Sequence, residues 1–207
     1  MTILIDYKTP EKDILINVLN KYPLMDSLNI SSIIENMIYE EVEEYYENGS
    51  LKSKYTLRFG EKEGLDQHWL ENGQKRAECS YRNDKREGIF KIWHNNGQKS
   101  VECTYRDGKL DGLYKSWHKN GEKWGECTYR DGKYDGLYQE WWENGQKWKE
   151  FTFRDGKEEG LYQYWWDNGK KEIECTYIDN KLEGLYQQWN FYGEKVKECI
   201  YRDGKEL

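Results

Sequence analysis

From about residue 40 to the end, apolar and polar side chains alternate in short runs broken by Asn-Gly and Asp-Gly pairs, and the pattern restarts every 24 residues. Alternation with a period of two marks a strand, and two such runs joined by Asn-Gly read as a hairpin. One unit, from Gly136, runs Gly-Leu-Tyr-Gln-Glu-Trp-Trp-Glu, Asn144-Gly145, Gln-Lys-Trp-Lys-Glu-Phe-Thr-Phe-Arg and Asp155-Gly156-Lys157. Its leading glycine recurs as Gly64, Gly88, Gly112, Gly136, Gly160 and Gly184, with Trp69, Trp93, Trp117, Trp141, Trp165 and Trp189 five residues later each time. These copies predict six full repeats, preceded by a degenerate half-repeat at Tyr45 and Asn48-Gly49.

Such a period predicts a mainly β protein: an elongated single-layer antiparallel sheet of stacked 24-residue hairpins over residues 40–207. Residues 1–39 differ in kind. Thr9 and Pro10 open a helix with Ile14, Leu15, Val18 and Leu19 on one face, and Ile30, Ile33, Ile34, Met37 and Ile38 mark a second. They are expected to form a short helical cap over the first sheet edge.

The period also constrains the turns. A two-residue type I′ turn with positive φ at both Asn144 and Gly145 makes paired residues sum to 289, and stacking identical repeats then needs a four-residue loop, Asp155–Glu158. That register places Cys103, Tyr114, Cys127, Tyr138, Phe151, Tyr162, Cys175, Tyr186 and Cys199 in one row on the more buried face. It sets Tyr129 and Phe153 beside Gly136, so the glycines are expected to make room for rings. The opposite face is expected to carry Gln139, Glu150, Gln163 and Glu174, with Trp117, Trp124, Trp141, Trp148 and Trp165 as a continuous indole stripe. Trp124 and Trp148 stand where other repeats have Arg76, Ser100, Glu172 and Val196, so the stripe belongs to the middle of the array. Clustered tryptophan either packs the sheet against itself or anchors a partner.

Composition narrows the picture. Only 36% of the chain is hydrophobic while 16% is aromatic, which suits a thin sheet with aromatic rows rather than a thick aliphatic core. The net charge of −7 resides in residues 1–50, leaving a neutral array without the basic footprint of nonspecific nucleic-acid binding. No apolar run reaches the length of a membrane span, so a soluble chain is expected, with peripheral membrane contact left open. Cys79, Cys103, Cys127, Cys175 and Cys199 share one repeat position, about 9–10 Å apart if repeats stack. That is too far for disulfides, or for a shared metal, and fits a reducing cytoplasm.

Candidate chemistry is sparse. His94 and His118 share one repeat position, whose next copy is Trp142, and read as solvent-side residues; His68 stands alone. No nucleophile–base arrangement is suggested, and the Asp-Gly-Lys turns lack the alternating acids of a calcium loop. No enzyme activity, cofactor or metal is expected.

The run Gly-Leu-Tyr-x-x-Trp-x-x-Asn-Gly-x-Lys followed by Cys-Thr-Tyr-Arg-Asp-Gly-Lys, seen at residues 112–133, resembles the MORN-repeat superfamily, and in particular the MORN-variant repeats of bacterial antitoxin-like proteins and large DNA viruses. The resemblance implies single-layer sheets that serve in protein association, sometimes at membranes, with no catalytic residues to carry over. Pro10–Ile38, with Tyr22-Pro23-Leu24 inside it, resembles the start of an F-box, without the later tryptophan-containing part. The expected function is a non-enzymatic scaffold binding an unidentified protein through its aromatic face, in the cytoplasm, or in host cytoplasm or virion for a viral chain. The alternatives are an antitoxin-like neutraliser of a toxin or host enzyme, an F-box-type ubiquitin-ligase adaptor and a virion component.

Overall fold

The structure is a computed structural model that describes residue 21 and residues 39–207. Eighteen strand segments, from β1 (Tyr39–Tyr45) and β2 (Leu51–Arg58) to β17 (Lys195–Arg202) and β18 (Lys205–Glu206), form one open antiparallel sheet. Each strand pairs with its neighbours in sequence, as in β8 (Lys109–Trp117), β9 (Lys123–Arg130), β10 (Lys133–Trp141) and β11 (Lys147–Arg154). The mainly β, repeat-stacked architecture is the one the period predicts. The helices expected over Pro10–Ile38 lie outside the described residues, apart from Lys21.

The turns differ from those expected: the Asn-Gly loop has three residues and not two, and the Asp-Gly turn two and not four. At Asn144-Gly145 the Gly145 N–H donates to Trp142 C=O (2.9 Å) and Trp142 N–H to Gln146 C=O (2.8 Å), which closes a three-residue loop, Glu143 to Gly145. Of the Asn-Gly pair only Gly145 has positive φ, at 80°. Asn144 instead uses its side chain: Oδ1 accepts from Gln146 N–H (3.0 Å) while Nδ2 donates to Asp167 C=O of the next repeat (2.7 Å). The two-residue turn is Asp155-Gly156, with φ of 50° and 81°, which leaves Arg154 opposite Lys157. A type I′ turn asks for positive φ at both central residues, and aspartate followed by glycine tolerates it.

Two irregularities restore the 24-residue register. Between Tyr134↔Tyr129 and Tyr138↔Cys127, the residues Asp135, Gly136 and Leu137 all face Thr128. Past that bulge, central pairs such as Glu150↔Gln163 and Lys149↔Tyr164 follow the predicted register. Gly136 sits in the bulge at φ 105°, so it is needed for its backbone and not to clear space for rings. A Cβ built there would touch only the Thr128 side chain, at 3.8 Å, and neither Tyr129 nor Phe153. The second irregularity lies at the Asn-Gly end: Glu140 pairs with Lys149 but Trp141 with Lys147, so Trp148 has no partner across the strand. Trp124 is skipped likewise between Ser116↔Gly125 and Trp117↔Lys123.

The core is a single row on one face. Cys79, Cys103, Cys127, Phe151 and Cys175 are buried there, between rings such as Tyr138 and Tyr162, which stack on Phe151 at 4.8 and 4.4 Å. All five cysteines are free thiols, and Cys199, in the last full strand, is less covered than the others. Burial pushes the Cys127 and Cys175 thiols up to about 12, so they stay protonated and unreactive.

Candidate binding hollow on the cysteine face

The two faces use tryptophan differently. On the face opposite the cysteines, Lys75, Lys99, Lys123, Lys147 and Lys171 lie over Trp93, Trp117, Trp141, Trp165 and Trp189 at 5.7, 5.2, 4.7, 5.4 and 5.8 Å. The same lysines bind a glutamate three residues on, as in Lys99 to Glu102 (2.7 Å) and Lys123 to Glu126 (2.9 Å). These lysine bonds hold the carboxyls of Glu78, Glu102 and Glu174 below the usual range. Gln139 and Gln163 donate to Glu150 and Glu174 across the strands, as the expected Gln/Glu row requires.

Trp124 and Trp148 are elsewhere. Trp148 meets Tyr164 edge-on at 6.4 Å, and Tyr164 in turn bonds Tyr162 of the cysteine row through the two hydroxyls (2.9 Å). Trp124 walls a cavity of about 160 Å³ with Tyr114, Cys127, Tyr138 and Glu140. The five-indole stripe is therefore divided: Trp117, Trp141 and Trp165 lie under lysines on one face, Trp124 and Trp148 on the cysteine face. Strict alternation fails because both residues occupy the bulge at the Asn-Gly end, where two residues oppose one and the later side chain is re-aimed.

On the cysteine face the two indoles border a shallow hollow of about 480 Å³ together with His118, Trp141, Trp142, Glu143 and Asp167. Trp142, which the sequence reading did not single out as a binding residue, packs on Trp148 at 5.0 Å. Its Nε1–H donates to Trp165 C=O (3.1 Å), which locks the ring. His118 fills the same role one repeat earlier, Nε2 donating to Trp141 C=O (3.1 Å), with its ring 6.1 Å from that of Trp124. The histidines are thus inter-repeat struts and not free solvent-side residues. The sequence did carry a signal for this: Tyr46, His94, His118, Trp142 and Trp166 share one position and all bear an N–H or O–H at similar reach.

Trp124 is 46% exposed, a large value for an indole held by packing. Glu143 and Asp167 are exposed on successive turns, and Glu140 is buried beneath, bonded by the Tyr138 hydroxyl and by Lys149 (3.1 Å). Among the described residues no three His, Cys, Asp or Glu side chains gather as metal ligands.

A family model for the MORN repeat variant matches residues 41–58, 86–107, 110–131, 134–155 and 158–179, just over half of the chain. The chain belongs to the MORN repeat variant family. MORN repeats typically act as scaffolds for protein or membrane interaction and are not catalytic units. No curated protein matches the chain. Among solved structures it is similar to TarM, at 10% identity and a TM-score of 0.31 over 72% of this chain and 26% of that one. It is similar also to a mutant of S. aureus TarM in complex with Fondaparinux, alpha-GlcNAc-glycerol and UDP, at 9% identity and a TM-score of 0.31 over 72% of this chain. The MORN-variant chain spans about a quarter of the length of those proteins.

Proposed function

We propose that this protein is a non-enzymatic scaffold that docks a partner protein on the cysteine face, at the hollow bordered by Trp124, Trp142 and Trp148. One observation carries the reading: four tryptophans, Trp124, Trp141, Trp142 and Trp148, line one place in the middle of the array, where the repeats at either end have Arg76, Ser100, Glu172 and Val196 at the bulge position. Buried row residues already hold the sheet together, whereas these rings remain partly open. Exposed tryptophan in a shallow hollow is the residue type and setting of an interface anchor. Trp117 and Trp165 belong to the lysine–tryptophan packing of the other face and take no part in the docking, whereas Trp141, covered by Lys123 on that face, also lines the hollow.

The test replaces Trp124 with Ser and Trp148 with Glu, the residues at 100 and 172. Wild type and double variant are compared by thermal melting and by quantitative proteomics of what co-purifies. We expect near-wild-type melting and loss of a partner whose binding depends on the hollow; an unchanged set of co-purifying proteins with the fold intact rejects the reading.

A further inference from the structure

The array itself shows what its tryptophans hold. Five times on the opposite face an indole is covered by a lysine ammonium of the same chain, at 4.7 to 5.8 Å, the range of a cation–π contact. In the hollow the count is incomplete. Lys149 lies over Trp148 at 4.7 Å, but among the described residues no lysine or arginine lies over Trp124 or Trp142. The rim adds negative charge: Glu143 and Asp167 are exposed at successive Asn-Gly turns, and no lysine or arginine pairs with Glu143 among the described ion pairs, its neighbour there being the His118 ring Nδ1 at 3.9 Å. Behind Trp124 the smaller cavity reaches the carboxylate of Glu140. Open π faces with carboxylates at the mouth attract a cation and offer an anion nothing.

We infer that the hollow takes an alkylammonium group, the side chain of a lysine on the partner protein, set over Trp124 and Trp142 and drawn in by Glu143 and Asp167. This rests on the docking reading above and gives the chemistry of the partner's anchor. The partner's lysine would do at this hollow what Lys99, Lys123 and Lys147 do on the other face. An N-methylated lysine fits the same contacts, since methylation keeps the charge and lowers the cost of leaving water.

The inference is tested on the full chain by following the indole N–H resonances during titration. The probes are choline, its neutral isostere with tert-butyl in place of trimethylammonium, Nα-acetyl-lysine amide, and the trimethylated form of that amide. Resonances are assigned with Trp124→Ser, Trp142→His and Trp148→Glu, each a residue that another repeat carries at that position. We expect choline to move the Trp124, Trp142 and Trp148 signals and leave those of Trp117 and Trp165, which do not line the hollow, in place, with the isostere about tenfold weaker. The two lysine probes should move the same three signals, and their relative affinities say whether methylation is preferred. Glu143→Gln combined with Asp167→Asn should weaken choline binding severalfold and flatten its salt dependence. Equal potency of the isostere, or shifts spread over all the indoles, overturns the inference. The two readings fail separately. Loss of the partner in the Trp124→Ser, Trp148→Glu variant with no response to choline or either lysine probe leaves docking standing and removes the ammonium. A choline response with the partner retained does the reverse.

Discussion

Tyr46 Oη, His94 Nε2, His118 Nε2, Trp142 Nε1 and Trp166 Nε1 each donate to the backbone carbonyl of the tryptophan one repeat on, over 2.8 to 3.3 Å. Three residue types serve because each places a donor on a rigid ring at similar reach. His94→Ala should therefore destabilise the fold by about 1 kcal/mol, the usual net worth of such a bond, while His94→Tyr should cost less. Urea denaturation of the two variants checks this, and equal stability of His94→Ala and wild type would return the histidines to the solvent-side role read from sequence. Gly136 offers a second residue-scale test. At φ 105° any side chain is strained, so Gly136→Ala should lose about 1–2 kcal/mol and Gly136→Val at least as much. If room for Tyr129 and Phe153 were the reason for glycine, alanine would be nearly harmless; thermal melts of both variants separate the two causes.

At the scale of the element, the Asn-Gly pairing and the Asp-Gly pairing of strands such as β10 each carry one bulge, and each bulge has its own purpose. The one around Gly136 restores the register lost by the tight Asp-Gly turn; the one at Trp124 or Trp148 sends that side chain to the cysteine face. Strands were legible in the sequence because alternation is a local property of the chain, as Gln139 opposite Glu150 and Tyr138 opposite Phe151 illustrate. Bulges were harder to read: the recurring glycine at Gly136 marks one of them, although the sequence reading took it as room for rings, while the bulge at Trp124 or Trp148 arises from the choice of hydrogen bonds between two strands and carries no such residue. The lysine–glutamate ladder gives the array a pH response. Bonds from Lys75, Lys99 and Lys171 depress the carboxyls of Glu78, Glu102 and Glu174 in the folded state, so their contribution is present above the unfolded carboxyl range and is lost as pH falls through the folded values. Glu158 and Glu172, raised by burial, act with the opposite sign and gain as they protonate. With more depressed groups than raised ones, the melting temperature should hold between about pH 7 and 5 and fall below about pH 4. Melts across that range at low salt check it, and a midpoint that rises on acidification would show the ladder to be unimportant.

For the whole molecule, stability comes from contacts between neighbouring repeats, because every pairing joins strands next to each other in sequence or one short segment apart. Excising one 24-residue unit at equivalent points should then rejoin every row and ladder in register. Deleting residues 64–87 joins Glu63 to Gly88 and should leave a cooperatively folding sheet with the hollow intact. Deleting residues 136–159 should also fold, but it removes Trp142 and Trp148 and with them the partner. Circular dichroism melts and co-purification read the two outcomes, and loss of partner in the first deletion alone would place docking in the wrong repeat.

The 24-residue period, the hairpins and the buried row through Cys103, Cys127 and Phe151 were determined by sequence alone, because each depends on side-chain alternation and on repetition along the chain. The face taken by Trp124 and Trp148, the lengths of the two turns and the hollow were decided by tertiary structure. His118 and Trp124, Trp142 and Trp148, and Asp167 come from successive repeats and meet only after bulges have re-aimed two of them. The bulge that re-aims Trp124 or Trp148 is set by the hydrogen bonds between two strands and, unlike the one at Gly136, is marked by no residue of special backbone freedom, so no single stretch of sequence contains it.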